Sequence, residues 1–296
     1  MIPPFLVAII ILNWNNWPDT LACVESCRKL TWPNVRIFIV DNGSTDGSEG
    51  IFRQSCPEAK IIQTGANRGF AGGNNIGIRH AMEAGADYVW LLNNDAVAAP
   101  DALSMLVEAM QADSAAAVAG SKIYFHDDPK RIWFAGGIWR KGRLRLRQRG
   151  AGQLDRGQFS EQCEVGSISG CSMLLRTTVI GEIGLLDEDY FLYWEDTDWC
   201  ARAERNGYRV LFVPSSHVWH KVSASVAPHS QLQYYYNTRN GLFFCMRHDW
   251  ASLVLFLLYV TLDVAVGFLR GNRNMLQGAL KGVADVLRGV SGPRQL

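Results

Sequence analysis

Four apolar runs recur along the first hundred residues, and each ends abruptly in polar side chains. FLVAIIIL runs into NWNN, VRIFIV into DNGSTDGS, AKIIQT into NRGFAGGNN, and DYVWLL into NNDA. Short runs rich in β-branched and aromatic residues are the pattern of strands buried on both faces. Helical patterns fill the gaps: Pro18 to Leu30, about ten residues after DNGSTDGS, the stretch through Glu83, and one ending near Gln111 with Pro100 in its first turn, where proline is tolerated. This alternation predicts an α/β fold, a Rossmann-like, mostly parallel, doubly wound sheet. Ligands bind such sheets beyond the carboxyl ends of the strands. All four polar clusters fall on that rim, which is hard to explain by turn chemistry alone.

From residue 121 the pattern becomes irregular. Arg143, Arg145 and Arg147 alternate with Leu144 and Leu146, a period of two that predicts a strand with one cationic face. A glycine-rich stretch follows, then a strand at SMLLR, a helix after Thr178, an acidic cluster, and helices to the end. A soft boundary at Pro228 separates residues 1–228 from a helical, more amphipathic region, 229–296. No internal repeat or low-complexity tract interrupts this order.

Composition narrows the field. Of 296 residues 48% are hydrophobic, ample for a large core, and a net charge of +1 gives no reason to expect a nucleic-acid partner. The charge is uneven: WRKGRLRLRQRG (139–150) holds six basic residues and no acid. Seven cysteines without a CxxC pair, Cys23 and Cys27 one helical turn apart, suit reduced, buried thiols of a cytoplasmic protein. MIPPFLVAIIIL lacks a basic leader and reads as a first core strand and not as a signal peptide. Residues 251–269 are apolar except at Asp263 and suit a helix on the inner face of a membrane or one packed on the protein. A true span would place a carboxylate mid-bilayer at roughly 3 kcal/mol.

The candidate chemistry lies in the polar clusters. Asp41 ends an apolar strand, where its carboxylate can accept from a ribose or a pyrimidine N–H, while Asp46 suits the N-cap of the next helix. NWNNWP after the first strand is not G-x-G-x-x-G, which argues against a dinucleotide enzyme. Gly69, Gly72 and Gly73 allow close backbone approach at a helix N-terminus that favours anions, or serve an ordinary turn. Glu195, Asp196 and Asp198 sit among Tyr193, Trp194 and Trp199. Crowded carboxylates should have raised pKa values, suiting a general base, although the start of a helix lowers them. Asn206-Gly207 should cap that helix. His217 and His220 could join Asp95 around a divalent metal, or be structural. Arg239 either packs its stem in an aromatic helix face or reaches a phosphate.

In order, AIIILNWNN, VDNGSTDGS, NRGFAGGNN, LLNNDAV, ISGCSMLLR, FLYWEDTDW, VWHKVSAS and YYYNTRN resemble the family 2 inverting glycosyltransferases, most closely the bacterial rhamnosyltransferase-like branch. The resemblance spans nearly the whole chain and implies a GT-A fold with a helical C-terminal extension. It implies transfer of a sugar from a nucleoside diphosphate sugar, with dTDP-rhamnose favoured and UDP-galactose, UDP-glucose and GDP-mannose open. The acceptor would be a glycan or lipid-linked glycan of a bacterial cell-surface polysaccharide, met in the cytoplasm or at the inner-membrane surface. Carried over, Asn13 and Asp41 would hold the nucleoside, and Asn67, Gly69, Phe70, Gly72, Asn74, Asn75, Asn93 and Asn94 would line the donor pocket. Asp95, the last position of the metal motif, and His220 would bind Mg²⁺ or Mn²⁺, and Asp196 would be the catalytic base. Ser169, Gly170, Trp194, Glu195 and Arg239 would face the acceptor. One departure is Asn93, which stands where the family motif has its first aspartate. A non-catalytic nucleotide-sugar binder and a nucleotidyltransferase are the rivals; the latter would need a glycine-rich triphosphate loop that AIIILNWNN lacks.

Overall fold

The computed structural model describes residues 5–140, 143–222 and 230–294, with residues 139, 140 and 143–147 described by backbone alone. The four apolar runs form strands β1 (Val7–Asn13), β2 (Val35–Asp41), β3 (Lys60–Gln63) and β4 (Tyr88–Asn93). Between them lie helices α1 (Trp17–Cys27), α2 (Ser48–Ser55) and α3 (Gly69–Glu83). The remaining strands are β5 (Ala96–Ala98), β6 (Ala116–Phe125), β7 (Ile132–Phe134), β8 (Gly137–Arg140), β9 (Arg143–Gln148), β10 (Cys163–Glu164), β11 (Ser172–Arg176) and β12 (Arg209–His220). The remaining helices are α4 (Ala102–Ala112), α5 (Thr177–Ile183), α6 (Glu195–Arg205), α7 (Gln231–His248), α8 (Trp250–Leu269) and α9 (Arg273–Leu287).

The main sheet runs β10-β12-β6-β11-β4-β1-β2-β3, with β5 added to β12 and β7 to β6. β3, β2, β1 and β4 are mutually parallel, as is the pair β6 and β12, while β11 runs antiparallel between β4 and β6. The side-chain alternation of β1 shows why the central strands read as continuously apolar. Val7, Ile9 and Ile11 join the core under α1, α2 and α4, whereas Ala8 and Ile10 join the core under α3, α5 and α6. Glycine sets the distance of α3 from the sheet: a Cβ on Gly73 would stand 2.4 Å from Leu12, and one on Gly77 2.7 Å from Ile10. Gly73 therefore serves packing and not ligand approach.

Register carries the strand ends to one rim. Asn13 pairs with Asp41, and Leu12 with Asn93. Some details differ from the sequence reading. Pro100 lies before the Asp101 cap of α4, outside the helix. Gly47, at φ +82°, occupies the N-cap of α2, and Asp46 accepts from the Ser48 N–H at 3.1 Å, one residue earlier than expected. The strip 143–147 is a strand paired with β8, but its side chains, and with them the predicted cationic face, lie outside the described residues. The boundary at Pro228 also lies outside them. All seven cysteines are free, and Cys163 alone is partly exposed.

Helices α7, α8 and α9 share a small core of Leu242, Cys245, Phe256, Val260 and Ala279. They are bolted to the rest through Arg239 and Asn240. Arg239 is fully buried and spends all five donors: on Asn240 Oδ1, the Tyr235 hydroxyl, and the carbonyls of Gly292, Asp189 and Tyr190. Asn240 donates to the carbonyls of Tyr190, Leu192 and Tyr193. The loop 189–193, which precedes the acidic cluster, is thereby held from the C-terminal side.

Candidate active site

At the carboxyl ends of β1, β2 and β4 a chain of buried polar groups forms. Asp41 accepts from Asn13 Nδ2 at 3.3 Å and from Gln63 Nε2 at 2.6 Å. Asn13 Oδ1 accepts from Thr20 Oγ1 at 2.8 Å, and Thr20 Oγ1 in turn accepts from Asn94 Nδ2 at 3.1 Å. Asn67 belongs to a second chain through Asn42, whose amide donates to Asn67 Oδ1 and to the Gly69 carbonyl, both at 3.1 Å. Asn42, Thr20 and Gln63 were not singled out in the sequence, although each ends or adjoins a polar cluster already recognised there.

Asn94 and Asp95 form the two-residue turn between β4 and β5, so this stretch is both a turn and a site. Because β5 pairs antiparallel with β12, His220 lies opposite Ala96 and meets Asp95 side by side. His220 Nε2 is 2.9 Å from Asp95 Oδ1 and 3.4 Å from the Asn93 amide. Both Asp95 and His220 are buried. Burial pulls the imidazole pKa down, but Cys171 and Asp95 outweigh it and hold His220 up at about 10. His217 does not join them; its ring stands edge-on to Tyr124 at 5.6 Å. Among the described residues no three His, Cys, Asp or Glu side chains converge as a metal cage. A buried carboxylate, an imidazole nitrogen and an amide meeting at one point still fit Mg²⁺ or Mn²⁺, which take few protein ligands when substrate phosphates supply the rest.

A cavity of about 1220 Å³ opens beside this cluster. Asn93 and His220 line one side, Ser169, Gly170, Glu195 and Asp196 another, with Phe70, Trp133 and Trp194 between. Asp196 lies one residue inside α6. Its Oδ2 accepts from the Gly170 N–H at 2.9 Å, and its Oδ1 from the Thr197 N–H and hydroxyl at 2.6 and 3.2 Å. Burial raises its pKa against the pull of those N–H groups. Glu195 is nearly sealed from solvent, Oε2 has no hydrogen-bond partner, and burial, then Asp196, raise it well above the carboxylate range. Asp198 corrects the expectation that all three acids are raised. Burial works upward, yet the hydrogen bond from His248 at 2.6 Å and the Arg202 guanidinium at 2.8 Å hold it below its usual value. Asp198 fastens α6 to α7.

The approach to Asp196 is strained. Phe191, Tyr193 and Trp194 have φ of +62°, +68° and +79°, values rare for residues with a Cβ. The loop is clamped from two sides: the Phe191 carbonyl accepts from Phe70 N at 2.7 Å, and Asn240 holds the next turns. Gly69, at φ +70°, has to be glycine, since a Cβ would fall 2.3 Å from that same carbonyl.

Several expected residues have other duties. Asn74 donates to the Phe70 carbonyl within α3, and Asn75 is spent on Leu186 and Glu188. Both are buried and neither lines the cavity. Gly72 gives room beside Arg68 and Glu188. Arg239, expected on the acceptor side, has no donor left for a ligand. The side chains that α7 does present to the cavity are Gln233, Tyr234, Asn237, Thr238 and Phe244, joined from α8 by Leu255, Phe256, Leu258, Tyr259, Val260, Leu262 and Asp263. The apolar run 251–269 suggested a helix on a membrane face or packed on the protein, but not that it forms a wall of this cavity.

Residues 8–184, more than half of the chain, match the model for glycosyl transferase family 2. The chain belongs to that family. This family 2 glycosyltransferase is 27% identical over 268 residues to the N-acetylglucosaminyl-diphospho-decaprenol L-rhamnosyltransferase of Mycobacterium tuberculosis, covering 82% of this chain and 85% of that one. It is 25% identical over 298 residues to the dTDP-rhamnosyl transferase RfbF of Shigella flexneri, covering 96% and 95%. In structure it resembles the mannosyltransferase PcManGT of Pyrobaculum calidifontis, solved with GDP-Man and Mn²⁺, at a TM-score of 0.62 and 15% identity over 97% of this chain and 88% of that one. It spans about half of GalNAc-T7, solved with UDP, GalNAc and Mn²⁺, at a TM-score of 0.59, 15% identity and 82% of its own length. The glycosyltransferase thus has the GT-A fold, with the helical C-terminal region that the sequence pattern suggested.

Proposed function

We propose that this glycosyltransferase transfers rhamnose from dTDP-rhamnose, with inversion at the anomeric carbon, to a hydroxyl of a glycan or lipid-linked glycan in bacterial cell-surface polysaccharide synthesis. It would work in the cytoplasm or at the cytoplasmic face of the inner membrane. The observation that carries the reading is the single cavity onto which both the Asn93–Asp95–His220 cluster and Asp196 abut. The names of the two rhamnosyltransferase relatives support the donor.

In this reading Asn13, Asp41, Asn67 and Asn94 form the nucleoside end, and Asn93, Gly69 and Phe70 flank the sugar. Asp95 and His220 would hold Mg²⁺ or Mn²⁺, which when bound would neutralise charge on the departing diphosphate. Asp196 takes the proton from the acceptor hydroxyl as that oxygen attacks the anomeric carbon from the face opposite the leaving group. Its hydrogen bonds to Gly170 and Thr197 fix one carboxylate orientation, and burial makes it a stronger base than an exposed aspartate. Ser169, Gly170, Trp194 and Glu195 shape the acceptor side. Residues 1–228 carry the chemistry, and 229–296 complete the acceptor wall.

Thermal-shift titration against dTDP-rhamnose, UDP-galactose, UDP-glucose and GDP-mannose, with and without Mn²⁺, tests the donor. Stabilisation by dTDP-rhamnose above the others, and enhanced by Mn²⁺, is expected. A preference for one of the other three donors overturns the rhamnose assignment. Response to free nucleoside triphosphates alone overturns glycosyl transfer.

A further inference from the structure

Helix α8 is the one helix among the described residues long and apolar enough to cross a membrane by length and composition. Its exposure follows a sharp angular rule. At 100° per residue, the exposed positions Trp250, Val254, Leu255, Leu257, Leu258, Tyr259, Thr261, Leu262, Phe268 and Leu269, with Ala251 and Ala265, share an arc of about 200°. Ser252, Phe256, Val260 and Gly267 are buried on the opposite side. Asp263, which argued against a true membrane span in the sequence, is on that inner side and lines the cavity. No charge remains on the outer arc.

Two further observations identify what covers this arc. On α8, α9 and the turn joining them, Arg270, Arg273, Lys281 and Arg288 are exposed, while the two carboxylates, Asp263 and Asp285, are not. The exposed charge on these two helices is therefore purely cationic, complementary to an anionic lipid surface and repulsive toward a second copy of the same face. The neighbouring strand β9, of sequence RLRLRQ, packs beside α8. In addition, Leu255, Leu258, Tyr259 and Leu262 are each about half exposed and also line the cavity. They turn the corner from the outer arc into the active site.

We propose that α8 lies in the plane of an anionic bilayer surface and that an acceptor with an apolar tail enters the cavity across Leu255, Leu258, Tyr259 and Leu262. Its hydroxyl end would reach Asp196 while its tail stays in the lipid. The acceptor part rests on the transferase reading above; the bilayer part does not.

Co-sedimentation of the full chain with vesicles of phosphatidylethanolamine and phosphatidylglycerol, about three to one, tests the surface without donor or acceptor. The protein should pellet with these vesicles and release at high salt or with pure phosphatidylcholine. Val254→Glu/Leu257→Glu/Leu269→Glu, substitutions outside the cavity lining, should lower partitioning at least tenfold while leaving nucleotide-sugar binding by thermal shift unchanged. Transfer to a vesicle-embedded, lipid-tailed acceptor should then lose at least tenfold in kcat/KM, with a tailless, water-soluble acceptor affected less than twofold. Wild-type protein staying in the supernatant, or equal pelleting of the triple variant, overturns the bilayer assignment. Lipid-free sedimentation showing a dimer that the triple variant dissociates overturns it in favour of a second copy. Equal losses on both acceptors, with normal pelleting differences, overturn the entry route alone.

Discussion

Replacing Asp196 by asparagine separates the chemistry of this carboxylate from its structural part. The native side chain accepts three hydrogen bonds, one on Oδ2 from Gly170 N and two on Oδ1 from Thr197. Asparagine keeps one oxygen. Whichever way the amide turns, its NH₂ faces one of two backbone N–H donors, and a part-buried donor is left unpaired at about 1–3 kcal/mol. In the proposed reaction the same substitution removes the proton acceptor, worth about 10²–10⁴ in rate. Asp196→Asn should therefore unfold at a urea midpoint lower by that stability, bind dTDP-rhamnose with little change, and lose two to four orders of magnitude in kcat. Because burial raises the native carboxyl, the acid limb of the wild-type kcat profile should lie above the range of an ordinary aspartate, activity falling as pH drops through it. A variant that keeps more than a tenth of wild-type kcat, or that loses donor binding in step with turnover, refutes the base assignment.

Other consequences are measurable independently. Arg239→Ala empties a fully buried guanidinium site that satisfies three backbone carbonyls, and should cost about 3–5 kcal/mol in urea unfolding. Gly69→Ala should disable turnover through the 191–194 loop, since the added Cβ would stand 2.3 Å from the Phe191 carbonyl, with loss of kcat exceeding any change in donor affinity. Asp95→Asn should abolish the Mn²⁺-dependent part of donor-induced thermal stabilisation while leaving a metal-independent part. Glu204, half-buried, is raised from 4.5 to about 7, first by burial and then by Glu164. The native state holds this proton more tightly than the unfolded chain, so its contribution is full below 4.5 and is lost as pH rises through 7. Glu204→Gln should accordingly stabilise the protein at pH above 7 by about 1 kcal/mol after solvent screening, and change nothing in strong acid.

The strands and the rim were legible because their causes are local. Unbroken runs such as VAIIIL state burial on both faces, and Asn13, Asp41 and Asn93 at their tips state that the burial ends at something polar. What sequence could not convey depends on partners far along the chain. Asn75 resembles a ligand group in NRGFAGGNN, and only the fold brings Leu186 and Glu188 to its amide. Asp198 is indistinguishable from Asp196 by spacing, yet Arg202 and His248 reach one and not the other. Arg239 had two admissible fates, and the carbonyls of a loop some fifty residues earlier decide between them. The glycines of α3 likewise separate only in three dimensions: Gly69 accommodates a carbonyl, Gly73 and Gly77 accommodate the sheet.

These long-range partners also tie the C-terminal helices to the loop that leads into the proposed base, Asp196. Three non-glycine residues of positive φ shortly before Asp196, Phe191, Tyr193 and Trp194, would cost of order 1–3 kcal/mol each if unsupported. The supports come from both directions: Phe70 from α3, and Arg239 with Asn240 from α7. Five carbonyl contacts to residues 189–193 from the Arg239 and Asn240 side chains are more than is needed to dock one helix. They make sense as the stiffening of the backbone that aims the carboxylate. Helix α8, proposed above to face lipid, is packed directly on α7. In the proposed arrangement, attachment at a bilayer and orientation of Asp196 would share one packed pair of helices, so that a wall of the acceptor site would be held at the surface from which a tailed acceptor would arrive.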